Sequence, residues 1–138
     1  MKRIIALAVV LAIVMFFAQS LTHSGAYASD VVNVQIGRNA RIVDEGRAAF
    51  VKIAVQCAPI GVVLEAFVYL TQDGNESPFA YFPVTCDNQP HLQLVRVTTY
   101  DDTPFHPGAA DASAYVLLYN PITGQYYDGQ DNRTIRLR

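Results

Sequence analysis

Few residues in this chain could carry chemistry. It has two cysteines, Cys57 and Cys86, and three histidines, His23, His91 and His106. Cys86 and His91 fall together in FPVTCDNQPH, residues 82–91, which raises the question of a metal pair. Zinc needs at least three protein ligands, and no Cys-x-x-Cys or second nearby histidine completes such a set. As a nucleophile, Cys86 would have to be a free thiolate. A Ser/His/Asp arrangement would have to bring Ser29, Ser77 or Ser113 to His91 or His106. Both histidines adjoin prolines, and strand parity puts them near opposite poles. The Gly-x-Ser-x-Gly, His-Glu-x-x-His, phosphate-loop and dinucleotide glycine patterns are missing. The sequence therefore reads as non-enzymatic, with no catalytic residue to assign.

Acidic residues form a second group. Asp44, Asp73, Asp101 and Asp102 fall in loops that strand parity gathers at one pole. Calcium takes six to eight oxygen ligands, so this pole is a candidate calcium site, the one cofactor the sequence suggests. A competing reason for the same residues is that Asp and Asn favour turns through local hydrogen bonds. Arg47, Arg136 and Arg138 would also neutralise the pole. DGQDN, residues 128–132, lacks EF-hand spacing and reads as a bulge in the last strand. Asn75-Glu76-Ser77 and Asn132-Arg133-Thr134 match the glycosylation acceptor, but are set aside because the leader has a bacterial character.

The elements that must position these groups begin after an N-terminal leader. Met1-Lys2-Arg3, an uncharged apolar run from Ile4 to Ala18 and Ala26-Tyr27-Ala28 have the form of a secretory signal peptide. The apolar run falls short of the roughly 20 residues that span a bilayer. Residues 1–28 are expected to be a cleaved signal, and residues 29–138 a single secreted domain. Without Lys2 and Arg3, eight basic and twelve acidic residues remain. No basic patch or basic helix appears, so nucleic acid and an anionic membrane are poor partners.

Beyond the leader there is no sustained helical periodicity. Short β-branched or aromatic runs alternate with Gly, Pro, Asn and Asp turns: Val31–Ile36, Arg47–Cys57, Val62–Thr71, Phe79–Cys86, His91–Tyr100, Asp111–Tyr119 and Gly124–Leu137. Seven strands in this length predict an all-β, immunoglobulin-like antiparallel β-sandwich. Pro83 lacks an amide hydrogen and marks the fourth run as an edge. With successive strands running up and down, Cys57 and Cys86 end at the same pole on inward positions, and an oxidising compartment favours their disulfide. Period two assigns Val62, Leu64, Ala66, Val68 and Leu70 to one face of the third run. Val63, Glu65, Phe67 and Tyr69 take the other, which Glu65 marks as outward. If the third, sixth and seventh runs are neighbours, Phe67 and Tyr69 lie beside Tyr115 and Tyr119. These four form a candidate binding face, unless Tyr115 and Tyr119 turn inward.

VQC (55–57), VTCDNQPH (84–91), FHPGAADASA (105–114) and RTIRLR (133–138), in this order, resemble the small secreted immunoglobulin-like domains of unknown function found in actinobacteria and related bacteria. The resemblance implies a β-sandwich with its cysteine pair joined and no catalytic residues. It departs in the last hairpin, where YVLLYNPITGQYYDG carries tyrosines in place of a second cysteine pair. The expected function is a non-catalytic binding or structural module. Its partner would be an extracellular protein, a glycan or another copy. The alternative is an inhibitor that inserts the Pro104–Pro107 loop into an extracellular enzyme.

Overall fold

The computed structural model describes residues 31–138, so the expected signal peptide lies outside the described residues. The described chain is all-β: β1 (Val32–Val43), β2 (Ala48–Cys57), β3 (Val62–Gln72), β4 (Asn75–Glu76), β5 (Ala80–Tyr81), β6 (His91–Thr98), β7 (Gly108–Asn120) and β8 (Gln125–Leu137). A short 3-10 turn, Asp44–Gly46, joins β1 to β2. The strands form one hydrogen-bonded sheet in the order β4-β3-β7-β8-β1-β2-β6, with β5 on the free side of β3. The expected neighbours β3, β7 and β8 are neighbours indeed.

The sheet is mixed, not wholly antiparallel. β1 runs parallel to β8 where Asn39 and Ala40 face Arg136 and Leu137. β1 extends to Val43, well past the Ile36 end expected from its first apolar run. A register shift between Ile36 and Ala40 lets it follow β2 and still reach β8. Where β1 and β8 diverge, the Asp131 carboxylate replaces a strand partner and accepts from the Ile36 amide at 2.7 Å.

Period-two alternation decides which side chains enter the core. Val32, Val34 and Ile36 of β1 are buried, as are Val51, Ile53, Val55 and Cys57 of β2, while Asn33, Gln35, Lys52 and Gln56 face water. Val68 and Leu70 of β3, Val116 and Leu118 of β7, and Ile135 and Leu137 of β8 join the same core. Because buried faces from both ends of the sheet share one core, the sheet curls over on itself. Each fully buried aliphatic side chain contributes about 1.5–3 kcal/mol.

Three details differ from the sequence expectation. A bulge between Val63 and Glu65 reverses parity at the start of β3, so Val62 and Leu64 are exposed and Val63 packs against the core. β8 carries no bulge at 128–132: it pairs with β7 without a slip from Gln125 to Leu137. The fourth run forms only the two-residue β5. Pro83 cannot donate to a ladder, and regular pairing ends before it.

After β5 the chain leaves the sheet as a strap. Its start is held by the Phe82 amide on Ala66 O at 3.1 Å, and Phe82 is buried. Pro83 O then accepts from Gln93 Nε2 of β6 at 2.9 Å. The far end is tied by the Cys57–Cys86 disulfide, with α-carbons 4.7 Å apart. That bond excludes both a metal role and a nucleophilic role for Cys86. Titration of the denatured, unreduced protein should find no free thiol. Replacing both cysteines by alanine should lower unfolding free energy in urea by about 3.5 kcal/mol, the loop-closure value for this separation.

Candidate functional site

Three turns meet at the pole opposite the disulfide. Gly46 lies at φ +89°, and a β-carbon there would come within 2.6 Å of Phe105 O. Glycine thus lets the β1–β2 turn sit against the 99–107 loop, whose Phe105 amide donates to Gly46 O at 2.8 Å. On the other side, the buried Gln72 amide group donates to His106 O at 2.9 Å and accepts from the His106 amide at 3.1 Å. Phe105 plugs the core. The Pro104–Pro107 segment is therefore anchored through its middle and does not project as a free convex loop.

The acidic residues of this pole have backbone reasons to be there. Asp44, Asp73 and Asp101 all lie at positive φ, between 53° and 57°. Asp and Asn occupy that left-handed region at less cost than most side chains. Asp44 forms an ion pair with Arg96, and Asp73 with His106, while Asp102 is exposed in the loop. Among the described residues no three His, Cys, Asp or Glu side chains are grouped to hold a metal ion. Of the four calcium candidates, Asp44 and Asp73 are thus engaged by Arg96 and His106, while the Asp101 and Asp102 carboxylates face water.

Asp73, His106 and Ser77 line one small cleft, a juxtaposition the sequence did not suggest. Their hydrogen bonds do not make a triad. Ser77 Oγ is buried, accepts from the Leu70 amide at 2.9 Å and donates to Pro78 O at 3.1 Å. His106 Nε2 bonds Asp73, and its Nδ1 bonds Pro107 O at 3.2 Å. At the other pole His91 bonds Asp87 at 2.8 Å, and both are well exposed.

The aromatic candidates are where alternation places them. Phe67 and Tyr115 face each other across β3 and β7, with ring centroids 5.6 Å apart, while Ala112, Ala114, Val116 and Leu118 point into the core. β5 and the residues before it extend the group. Phe79 stacks on Phe67 at 4.5 Å and tilts against Tyr69 at 5.4 Å, and Tyr81 meets Phe67 edge-on at 6.1 Å. Phe79 and Tyr81 are 49% and 69% exposed. Five rings thus form one cluster on the outer face. Tyr119 lies on the same face but in a second group, paired with Tyr126 at 4.9 Å. Between the groups runs a row in which Leu117 is flanked in register by Glu65 and Asp128. Partial burial, then the charges of Asp128 and Glu65, hold the Tyr115 phenol above its usual pKa, so it remains a neutral hydrogen-bonding tip.

Phe79 and Tyr81 escape a strand-by-strand reading because they lie in the irregular fourth run. The visible signal is FAYF before Pro83, which puts alternate rings outward just as the edge pairs with β3. Comparison of the chain with protein-family models and with curated proteins returns no match.

The Asp73–His106 pair gives this pole a pH dependence. The hydrogen bond to Asp73, helped by Pro107 O, raises the His106 pKa above 6.5. A raised folded-state value means the pair's contribution is complete below the ordinary histidine pKa and is lost as pH climbs through the raised one. An NMR titration should therefore place the His106 midpoint above that of the same ring in Asp73→Asn. The substitution should lower the urea midpoint more at about pH 5.5 than at about pH 8.5.

Proposed function

We propose that the chain is a secreted, non-catalytic binding module on an immunoglobulin-like β-sandwich, with its contact surface on the outer face of β3, β5 and β7. Export is read from residues 1–28, and the oxidised cysteine pair agrees with it. The family reading rests on the motifs at 55–57, 84–91, 105–114 and 133–138, supported by the β3-β7-β8 and β1-β2-β6 groupings around one core.

The observation that carries the binding role is the five-ring cluster on the outer face, with Phe79 and Tyr81 exposed and Phe67, Tyr69 and Tyr115 half-buried, beside a carboxylate row. Contiguous exposed aromatics mark contact surfaces, since tyrosine and phenylalanine supply large contact area with few rotatable bonds. Rings tilted and stacked on one another leave no flat sugar platform. Glu65 and Asp128 call for cations opposite. The partner that fits is an extracellular protein presenting apolar side chains ringed by Lys or Arg. The inhibitor reading is less favoured because Phe105 anchors the 104–107 loop into the core.

The test is capture from culture medium on the immobilised protein, compared with Tyr81→Ser/Tyr115→Ser. We expect a salt-sensitive protein partner whose retention falls at least tenfold, with each substitution costing about 1 kcal/mol or less in stability. Retention unaffected by the double change would overturn the assignment of this face. A wild-type oligomer that the double change dissolves would overturn the separate partner in favour of self-association.

A further inference from the structure

Basic residues scattered through the sequence converge on the opposite side of the molecule. Arg38 and Arg41 come from the register-shifted part of β1, Lys52 from the outward face of β2, and Arg138 from the residue after β8. With Phe50 and Leu94 they line a groove of about 560 Å³. The sequence shows no basic patch because these cations come from three separate segments of the chain. Pairing of β1 with β2 and with β8 assembles them.

No acidic side chain among the described residues pairs with the cations of this groove. Its four basic side chains are exposed. The contrast is Arg96, opposite Phe50 in register, which Asp44 neutralises. Gly37 lets the Lys52 stem lie close, since a β-carbon there would meet Lys52 Cβ at 3.0 Å. The Arg41 guanidinium sits 5.8 Å from the Phe50 ring centroid, which orients it while leaving its donors for a ligand.

We propose that this groove binds a small multivalent oxyanion, a phosphate- or carboxylate-bearing molecule with an apolar portion for Phe50 and Leu94. Size and charge select that class. The volume falls in the usual range of small-molecule sites. Residues 29–138 carry twelve acidic against eight basic side chains, so the field outside the groove repels an extended polyanion such as nucleic acid. Arginine forks match both phosphate and carboxylate oxygens, and two or more anionic groups can engage several cations at once. This site is separate from the aromatic face, and neither assignment depends on the other.

The experiment is calorimetric titration of the purified protein with tripolyphosphate and, separately, with citrate, at low and at physiological salt. We expect saturable one-to-one binding of at least one probe, weakened by salt. The stronger probe identifies the phosphate or the carboxylate arm. Arg38→Gln and Lys52→Gln should each weaken binding about tenfold or more, whereas Arg47→Gln, which removes equal charge elsewhere, should leave it unchanged. Melting curves without ligand check that each variant is folded, and Arg138→Gln provides the same test if one of them is not. Absence of binding by both probes, or equal losses in all variants, would overturn the site. So would a short single-stranded DNA that outcompetes both probes, or an oligomer of the wild-type protein that Lys52→Gln dissolves.

Discussion

The β7–β8 ladder is the constraint on which the other arrangements rest. It pairs residue for residue from Gly108/Leu137 to Asn120/Gln125, and β3 builds on its other side. β7 turns Ala110, Ala112 and Ala114 inward at one end and Val116 and Leu118 at the other. Small residues on the inner face admit the bulk of the other strands, and close packing leaves little tolerance for a one-residue slip. A slip would drive Tyr115 and Tyr119 inward and leave a row of methyl groups outside. Inner alanines and outer rings are therefore one decision, made once for the whole strand.

That alternation is also the part of the fold legible in the sequence. Val51, Ile53 and Val55 inward and Phe67 and Tyr69 outward derive from counting by two along an uninterrupted strand, while Cys86 meets Cys57 from a strap that has left the sheet. Counting fails where the backbone inserts a residue. Nothing in VVLEAF announces that Leu64 is the extra one, because Val, Leu and Ala suit either face. β8 is the opposite case: Gly, Asp and Asn suggest an irregularity, yet ladder pairing overrides their weak preference against strands. The parallel β1–β8 contact is also hidden, since neither strand's composition records the direction of a partner nearly a hundred residues away.

The acidic pole illustrates residue type serving the backbone. Asp at positions 44, 73 and 101 looks like a ligand set when only chemistry is counted. The left-handed dihedrals at all three account for the choice without an ion. The loop beside them is fixed by different means: a glycine that allows backbone to touch backbone, a buried glutamine that serves as donor and acceptor, and a phenylalanine in the core. Polar satisfaction by one buried amide holds the His106 backbone and so aims its ring at Asp73.

The strap from Phe82 to Cys86 has a consequence for how the chain must be handled before it is finished. A curled sheet has two terminal strands, and here they are β3, with its short additions, and β6. The strap runs from one to the other, tied to Ala66 on β3, to Gln93 on β6 and by sulfur to β2. Without the sulfur bond, the Phe82 amide on Ala66 O and the Gln93 contact to Pro83 O would have to hold the strap across the seam. β6 already presents Leu92 and Leu94, 65% and 63% exposed, beside its outer backbone edge. Such an edge is a template for strands of other molecules. A covalent tie that holds the chain's own strap across the seam would limit intermolecular β-pairing, and a newly made chain lacks it until the bond forms.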